Sequence, residues 1–350
     1  RVTPVAEGRN AAPHPPAPRV AAAGGIELAD HAENGSLSKL LDGGILMGES
    51  KIGELDRLGI TVVAEDSVLY ESPFLGQHGI SILIDAEKNE SRKKILVDVG
   101  QNSAALLNNM KLMNIHPAEI DAIVITHCHY DHTQGLATIV KEIGKNELPI
   151  IAHPSLFRLN FINNPYLRHV GVMQEDSREK IESAGGSLFL VSDPFLFMPG
   201  LTTTGEVKRQ TDFEEVGISL LTVNEGQTKK DMMLDDISVI AKVKDRGLVI
   251  VTGCSHAGIV NIVKQSIEIT GTHELEGIIG GFHLVEATDQ RIQRTVAELK
   301  KHRPNWISAG HCTGFKTQVE LYSVFRDRFF PLHTGMKFWS GGETPDELRK

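Results

Sequence analysis

The run His127-Cys128-His129-Tyr130-Asp131-His132 constrains this chain more than any other feature. Three histidines and a carboxylate within six residues are hard to explain as packing, because each polar group would need its own partner if buried. The run follows Ile123-Val124-Ile125-Thr126, which reads as a buried strand, and α/β proteins collect their ligands at the carboxyl ends of such strands. His127 and His129 share one parity and can grip one ion, while Asp131 and His132 turn away toward a second. Imidazole and carboxylate suit zinc foremost, with iron and manganese as alternatives, so the expected cofactor is one or two divalent metal ions.

Two ions need more ligands, and later strand ends offer them. In Thr252-Gly253-Cys254-Ser255-His256 an apolar strand stops at a glycine and His256 follows. Ile307-Ser308-Ala309-Gly310-His311 repeats the arrangement and makes His311 a second candidate. His283, in Gly280-Gly281-Phe282-His283, follows the intervening strand in the same way; a ligand, a hydrogen-bond donor behind a ligand and a catalytic contact to substrate all fit it. Asp98 ends another strand, placed either to accept the free N–H of a ligand histidine or to cap the helix that starts at Ser103. Lys208-Arg209 is the candidate phosphate contact, against the plainer reading of a solvated pair of cations. The other histidines, His78 among them, fall in tails, turns and helix ends and read as surface residues, except His153 and His333, which read as core or supporting residues.

Composition narrows the substrate. A formal charge of -9 disfavours nucleic acid and anionic membrane, both of which call for a basic surface, and leaves a small molecule as the expected partner, with a homo-oligomer as a further option. No apolar run approaches the length of a membrane span. Cys128, Cys254 and Cys312 cannot all pair, and each lies beside a candidate ligand histidine. Free thiols in a reducing, cytoplasmic compartment are expected, although burial as small apolar residues explains them as well. Arg1 is not a translation start, so export with a removed signal peptide is the alternative.

Along the chain, residues 1–25 are rich in Ala, Pro and Gly and read as a flexible tail, 26–59 as an N-terminal extension, 60–341 as one domain, and 342–350 as a C-terminal tail. Short β-branched runs at 60–64, 80–84 and 95–99 read as strands. Strand and helix then alternate, with helices expected over 104–115, 135–143, 259–269, 290–301 and 318–329. Strands 237–243 and 248–252 are expected to pair antiparallel. Two such halves predict a pair of sheets packed face to face with helices outside, an α/β architecture. The polar stretch 160–183 is expected as a helical insertion or lid, or as plain surface.

The first motif resembles the His-x-His-x-Asp-His signature of the metallo-β-lactamase superfamily. Thr252 to Asn261, Gly280 to Leu284 and Gly310 to Gly314 are similar to the branch of 7,8-dihydropterin-6-methyl-4-(β-D-ribofuranosyl)aminobenzene-5'-phosphate synthase. The resemblance implies an αββα sandwich with two mixed sheets and a metal site at one edge. It also exposes departures. Where the superfamily's hydrolases carry Pro-Gly-His-Thr, this chain has Pro199-Gly200-Leu201-Thr202, and the usual bridging aspartate is replaced in Thr252-Gly253-Cys254. His256 would then supply the third ligand of the first ion, and Cys254 or a water the bridge.

The residues alone favour a metal-dependent hydrolase of a small anionic substrate, a phosphoester above all, in which Asp131 holds the second ion and orients a metal-activated water. The resemblance implies a rival, a pterin-linked transferase. A binding protein that keeps the fold without turnover is the third reading.

Overall fold

The strands form where β-branched residues can bury alternate side chains on two faces. The computed structural model describes residues 52–342 except Ile218. The readings for 1–51 and 343–350, including the flexible tail and most of the extension, lie outside the described residues. In chain order the first half contains β1 (Arg57–Ala64), β2 (Ser81–Lys88), β3 (Ser91–Val97), α1 (Ser103–Leu112), β4 (Ala122–Val124), α2 (Tyr130–Thr133), α3 (Leu136–Ile143), β5 (Leu148–Ala152), β6 (Asn160–Ile162), β7 (Arg168–His169), α4 (Arg178–Ser183) and β8 (Gly186–Leu190). The second contains β9 (Leu196–Met198), β10 (Leu201–Thr203), β11 (Leu221–Asn224), β12 (Gln227–Lys230), β13 (Ser238–Val243), β14 (Gly247–Thr252), α5 (Ile259–Thr270), β15 (Leu275–Gly281), α6 (Asp289–His302), β16 (Trp306–Gly310), α7 (Phe315–Phe325), β17 (Phe329–Pro331) and β18 (Lys337–Ser340).

Two seven-stranded mixed sheets result, in the orders β18-β1-β2-β3-β4-β5-β8 and β17-β16-β15-β14-β13-β10-β9. The two-residue period of a strand divides their side chains among three apolar layers. From the first sheet Ile82, Ile84, Ile95, Val97 and Val124 enter the layer between the sheets, where they meet Val239, Val249, Val251 and Ile279 of the second. Their neighbours Leu83, Leu96 and Ile123 face outward onto Leu106 and Met110 of α1 and Ile139 and Val140 of α3. Ile240, Leu248, Ile250 and Ile278 likewise face Ile262 and Val263 of α5, Val296 of α6 and Leu321 of α7. This is the αββα sandwich that the resemblance implied. At about 25 cal/mol per Å², burying each such Ile or Leu contributes roughly 1.5–3 kcal/mol, so the three layers dominate cohesion.

Three boundaries differ from the sequence expectation. The sandwich begins before residue 60: Leu55 is fully buried and bridges Val243, and β1 starts at Arg57. The helix expected over 318–329 runs instead from Phe315 to Phe325, leaving Phe329 to open β17 beside β16. The 160–183 stretch is mixed: β6 and β7 join β11 and β12 in a separate four-stranded sheet, a 3-10 turn spans Gln174–Asp176, and only Arg178–Ser183 is α-helical. Strands of two to four residues carry too few positions for a period to show. No described helix is long and apolar enough to cross a membrane.

Candidate metal centre

All the strong candidates meet at one edge of the paired sheets, at the carboxyl ends of β4, β14 and β16. The approach is close enough to demand glycine: a Cβ on Gly253 would overlap the Thr126 hydroxyl and sit 2.9 Å from Asp98 Oδ2. Gly79, at φ +113°, packs the loop before β2 against the Asp131 carbonyl, a position that disfavours side chains on both counts.

Among the described residues four groups of ligand-type atoms result, two of which hold the strong candidates, while Cys254-His283-Cys312 and Asp66-His78-His311 overlap the second of these. His127, His129 and His256 form the first, and Asp131, His132, Cys254 and His311 the second; within each group the atoms lie within 4.8 Å of one another. The His127 and His132 rings, 4.1 Å between centroids, separate the two.

In the first group, His127 Nδ1 lies 3.0 Å from Thr126 Oγ1, leaving Nε2 to face His129 Nδ1 at 3.1 Å. The far nitrogen of His129 sits 3.2 Å from Asn160 Oδ1 on β6. His256 is 1% exposed, yet among the described residues neither ring nitrogen has a hydrogen-bond partner. An imidazole buried without partners is costly unless something else satisfies it, and an electron-pair acceptor such as a metal ion fits that vacancy of bonding. Burial holds His127 and His256 well below the usual imidazole range and brings His129 down to about 4. All three are therefore neutral, the form that ligates.

The second group is held by carboxylates standing behind its histidines. Asp98 Oδ2 lies 2.7 Å from His132 Nδ1, which turns Nε2 toward Cys254 Sγ at 3.2 Å and Asp131 Oδ2 at 3.5 Å. Asp66 Oδ1 lies 2.8 Å from His311 Nδ1, which turns Nε2 toward Asp131 Oδ2 at 3.1 Å. Such a carboxylate fixes the ring and raises its basicity as a ligand. Burial opposes charge on His132, but Asp131 and Asp98 lift its pKa to about 9. His311 is also raised, against burial, by Cys312, Asp131 and Asp66. Burial would raise the Asp131 carboxyl; His132 and His311 outweigh it and hold it well below the usual carboxylate range.

With this geometry in view, the comparisons with known proteins are decisive. The chain is 43% identical over 287 residues, 81% of its length and 97% of the relative's, to 7,8-dihydropterin-6-methyl-4-(β-D-ribofuranosyl)-aminobenzene-5'-phosphate synthase of Methanocaldococcus jannaschii. This chain belongs to the metallo-β-lactamase superfamily. The β-lactamase superfamily domain matches residues 82–188, and a second M. jannaschii protein, uncharacterised MJ0448, is 33% identical over 77% of this chain and 96% of its own. The solved structure of Tm1679, described as a metal-dependent hydrolase of the β-lactamase superfamily, shares the fold at a TM-score of 0.67 and 22% identity, covering 80% of this chain and 98% of that one. As a superfamily member the chain is an enzyme.

The remaining candidates fall into place around this superfamily site. Asp98 serves His132 and does not cap α1, whose cap is Asn102. His283 packs against His256 with its ring tilted at 43° and the centroids 4.0 Å apart, and its ligand-type neighbours are Cys254 and Cys312, so it stands behind the first group. The three cysteines are free; Cys128 packs into the core under α1 and α3, away from both groups. The Pro199–Gly200 turn joins β9 to β10 and pairs through Gly200 N–H with Ile52, remote from the ligands. His153 bonds Ser155 and approaches Glu206 at 3.3 Å, and His333 sits 3.0 Å from the Thr334 carbonyl.

Two sequence readings are corrected. Lys208 and Arg209 do not face the site as phosphate contacts. Lys208 is 74% exposed and pairs with Glu268 on α5 at 3.6 Å. Arg209 donates to the carbonyls of His256 at 2.7 Å and Met232 at 2.8 Å, so its guanidinium is spent on holding the His256 loop. His78, read as a surface residue, reaches the second group: its Nδ1 lies 3.2 Å from Asp66 Oδ2 and its Nε2 3.6 Å from Asp131 Oδ2.

Residues the sequence reading passed over complete the shell. Glu65 accepts the backbone N–H of His311, and burial raises its pKa to about 7. Asp235 Oδ2 accepts the Cys128 N–H at 2.8 Å and pairs with Arg158 at 2.6 Å, which pins the middle of the opening motif. Asp66 stands just past the end of β1, so the strand-end rule that selected His127 would have found it.

Proposed function

We propose that this enzyme joins a dihydropterin to an aminobenzene ribosyl phosphate, the chemistry named for its 43% identical M. jannaschii relative. The observation that carries the proposal is the pair of ligand groups, three neutral imidazoles beside an Asp-His-Cys-His set, within a chain aligned to that relative over almost its whole length. In the coupling, the bond from the pterin's 6-methylene carbon to a diphosphate oxygen breaks and a bond from the same carbon to the aminobenzene nitrogen forms. Pyrophosphate leaves with the electron pair and the nitrogen gives up a proton. The chemistry supplied by divalent ions bound at the two groups is neutralisation of charge on the departing oxygens. Among the metals, zinc or iron suits the Cys254 sulfur and five imidazoles better than manganese does.

The chain's own residues orient that chemistry. Asp98 and Asp66 fix the His132 and His311 rings, Asn160 fixes His129, and Asp131 lies between both histidines of its group. The partners proposed are small molecules, consistent with the charge of -9, in a cytoplasmic setting.

Phosphoester hydrolysis is the second reading, favoured by Asp131, whose carboxylate is held ionised by His132 and His311 and would accept a proton from an attacking water; divalent ions held by the two groups would supply charge neutralisation there. Metal-loaded protein incubated with a 6-hydroxymethyl-dihydropterin diphosphate and an aminobenzene ribosyl phosphate separates the two. Stoichiometric coupled product and pyrophosphate are expected. Hydrolysis of phosphodiesters with no coupled product at any acceptor concentration would replace the transferase by the hydrolase.

A further inference from the structure

Beside the second group lies a cavity of about 610 Å³, within the range of about 300–1,000 Å³ that holds small molecules. It opens between the loop before β2, the amino end of α1, the α2–α3 junction and the turn that precedes α4. Its wall nearest the metal centre is His78, whose Nε2 is 3.6 Å from Asp131 Oδ2.

The lining excludes most ligand classes. It contains no Lys or Arg and no aliphatic side chain larger than threonine; its one aromatic ring and one basic group is His78, whose nitrogens are turned to the carboxylates of Asp66 and Asp131, which leaves little to neutralise a phosphate. The amino end of α1 is not free for an anion either. Asn102 Oδ1 already accepts from Ala104 and Ala105, and Gln77 Oε1 accepts from Gln101 and Asn102. Asp176 is taken by the N–H groups of Gly135 and Ala137. What faces a ligand is therefore Gln101, Ser103, Gln134, Thr138 and Glu175: two amides that give and accept, two hydroxyls and a carboxylate that accepts.

We infer that this cavity binds the fused, uncharged amino-oxo heterocycle of the pterin substrate, with the substrate's methylene passing His78 to reach the metal centre. A 2-amino-4-oxopyrimidine edge offers adjacent N–H donors for Glu175 and alternating donors and acceptors for Gln101 and Gln134. The charged phosphates of both substrates, which this cavity repels, are left to the ions. The inference rests on the coupling reaction proposed above.

The test is a fluorescence titration of metal-loaded protein with 6-hydroxymethyl-7,8-dihydropterin, run on wild type, Glu175→Gln, Gln134→Leu and Thr138→Val, with bound metal measured in each. Glu175 and Thr138 are exposed and Gln134 half-buried, so the variants keep the fold. Removing a charged acceptor or a two-way amide is expected to weaken pterin binding about tenfold or more, and Thr138→Val by a smaller factor, with metal content unchanged. Wild-type protein that binds no pterin would overturn the coupling reaction itself. Wild-type binding that all three variants retain unweakened would leave the reaction standing and overturn the cavity's role.

Discussion

The two ligand groups sit wall to wall, yet they solve the burial of imidazole in opposite ways. Around His127, His129 and His256 no carboxylate of the described residues accepts from a ring, and burial strips the protons. Around His132 and His311 the carboxylates of Asp98, Asp66 and Asp131 overcome the same burial and keep the protons on. One group is thus ready to ligate as folded. The other must give up protons first, and it brings one anionic donor, Asp131. The first group is all histidine and the second only half, but what sets the charge on the imidazoles of each is the carboxylates that stand behind the rings.

The largest expected consequence is in pH. Because His132 titrates near 9 and His311 is also raised, an ion entering the second group at neutral pH must displace both protons. Its apparent affinity should fall roughly a hundredfold per pH unit between about pH 9 and 6. The first group, with His129 near 4, should hold its ion almost unchanged over that span. Metal titrations at pH 6, 7.5 and 9 measure this, and two parallel curves would break the contrast. The same shifts act on the metal-free fold with opposite signs. His132, raised, contributes stability below its unfolded pKa near 6.5 that is lost as pH rises through about 9. His129, depressed, contributes stability above 6.5 that is lost as pH falls through about 4.

Next in size, His129→Ala should remove the ion of the first group and lower turnover by roughly a thousandfold, the several kcal/mol that a metal contributes to charge stabilisation. Metal analysis should find the second group still loaded; loss of both ions together would make the two groups one cooperative unit. Asp98→Asn keeps the shape and removes the charge behind His132, and should weaken the second site by about 10–100-fold while lowering the pH at which it loads. The smallest effect is expected for Asn160→Ala. A neutral amide behind His129 tunes orientation more than basicity, so the loss should approach the tenfold end of that range, with no change in pH dependence. A shift in the pH profile there would show that the first group also depends on its neighbour's charge.

Much of this was readable beforehand, and the boundary of what was readable is physical. The central strands could be read because both faces are buried, so Ile95 to Val97 and Leu248 to Val251 appear as unbroken apolar runs. Ligands immediately after those strands could be read from the same runs, and the structure brings His127, His129, Asp131, His132, His256, His311 and Cys254 into one place. Asp66 was open to the same strand-end rule, but His78 was harder, since its loop has no period and the packing of Gly79 on the Asp131 carbonyl is what brings it to the site. Asn160 comes from a three-residue strand in a polar stretch that reads equally well as helix. Arg209 shows the reverse failure: a cation looks available in sequence, but three-dimensional neighbours decide whether its donors are already engaged.

Each ligand group draws on both sheets, His127, His129, Asp131 and His132 following β4 and Cys254, His256 and His311 following β14 and β16. Neither half of the chain can therefore trap an ion by itself. During synthesis the motif at 127–132 leaves the ribosome more than a hundred residues before its complement, and it has to wait. A complete set of ligands exists only once the two sheets have docked.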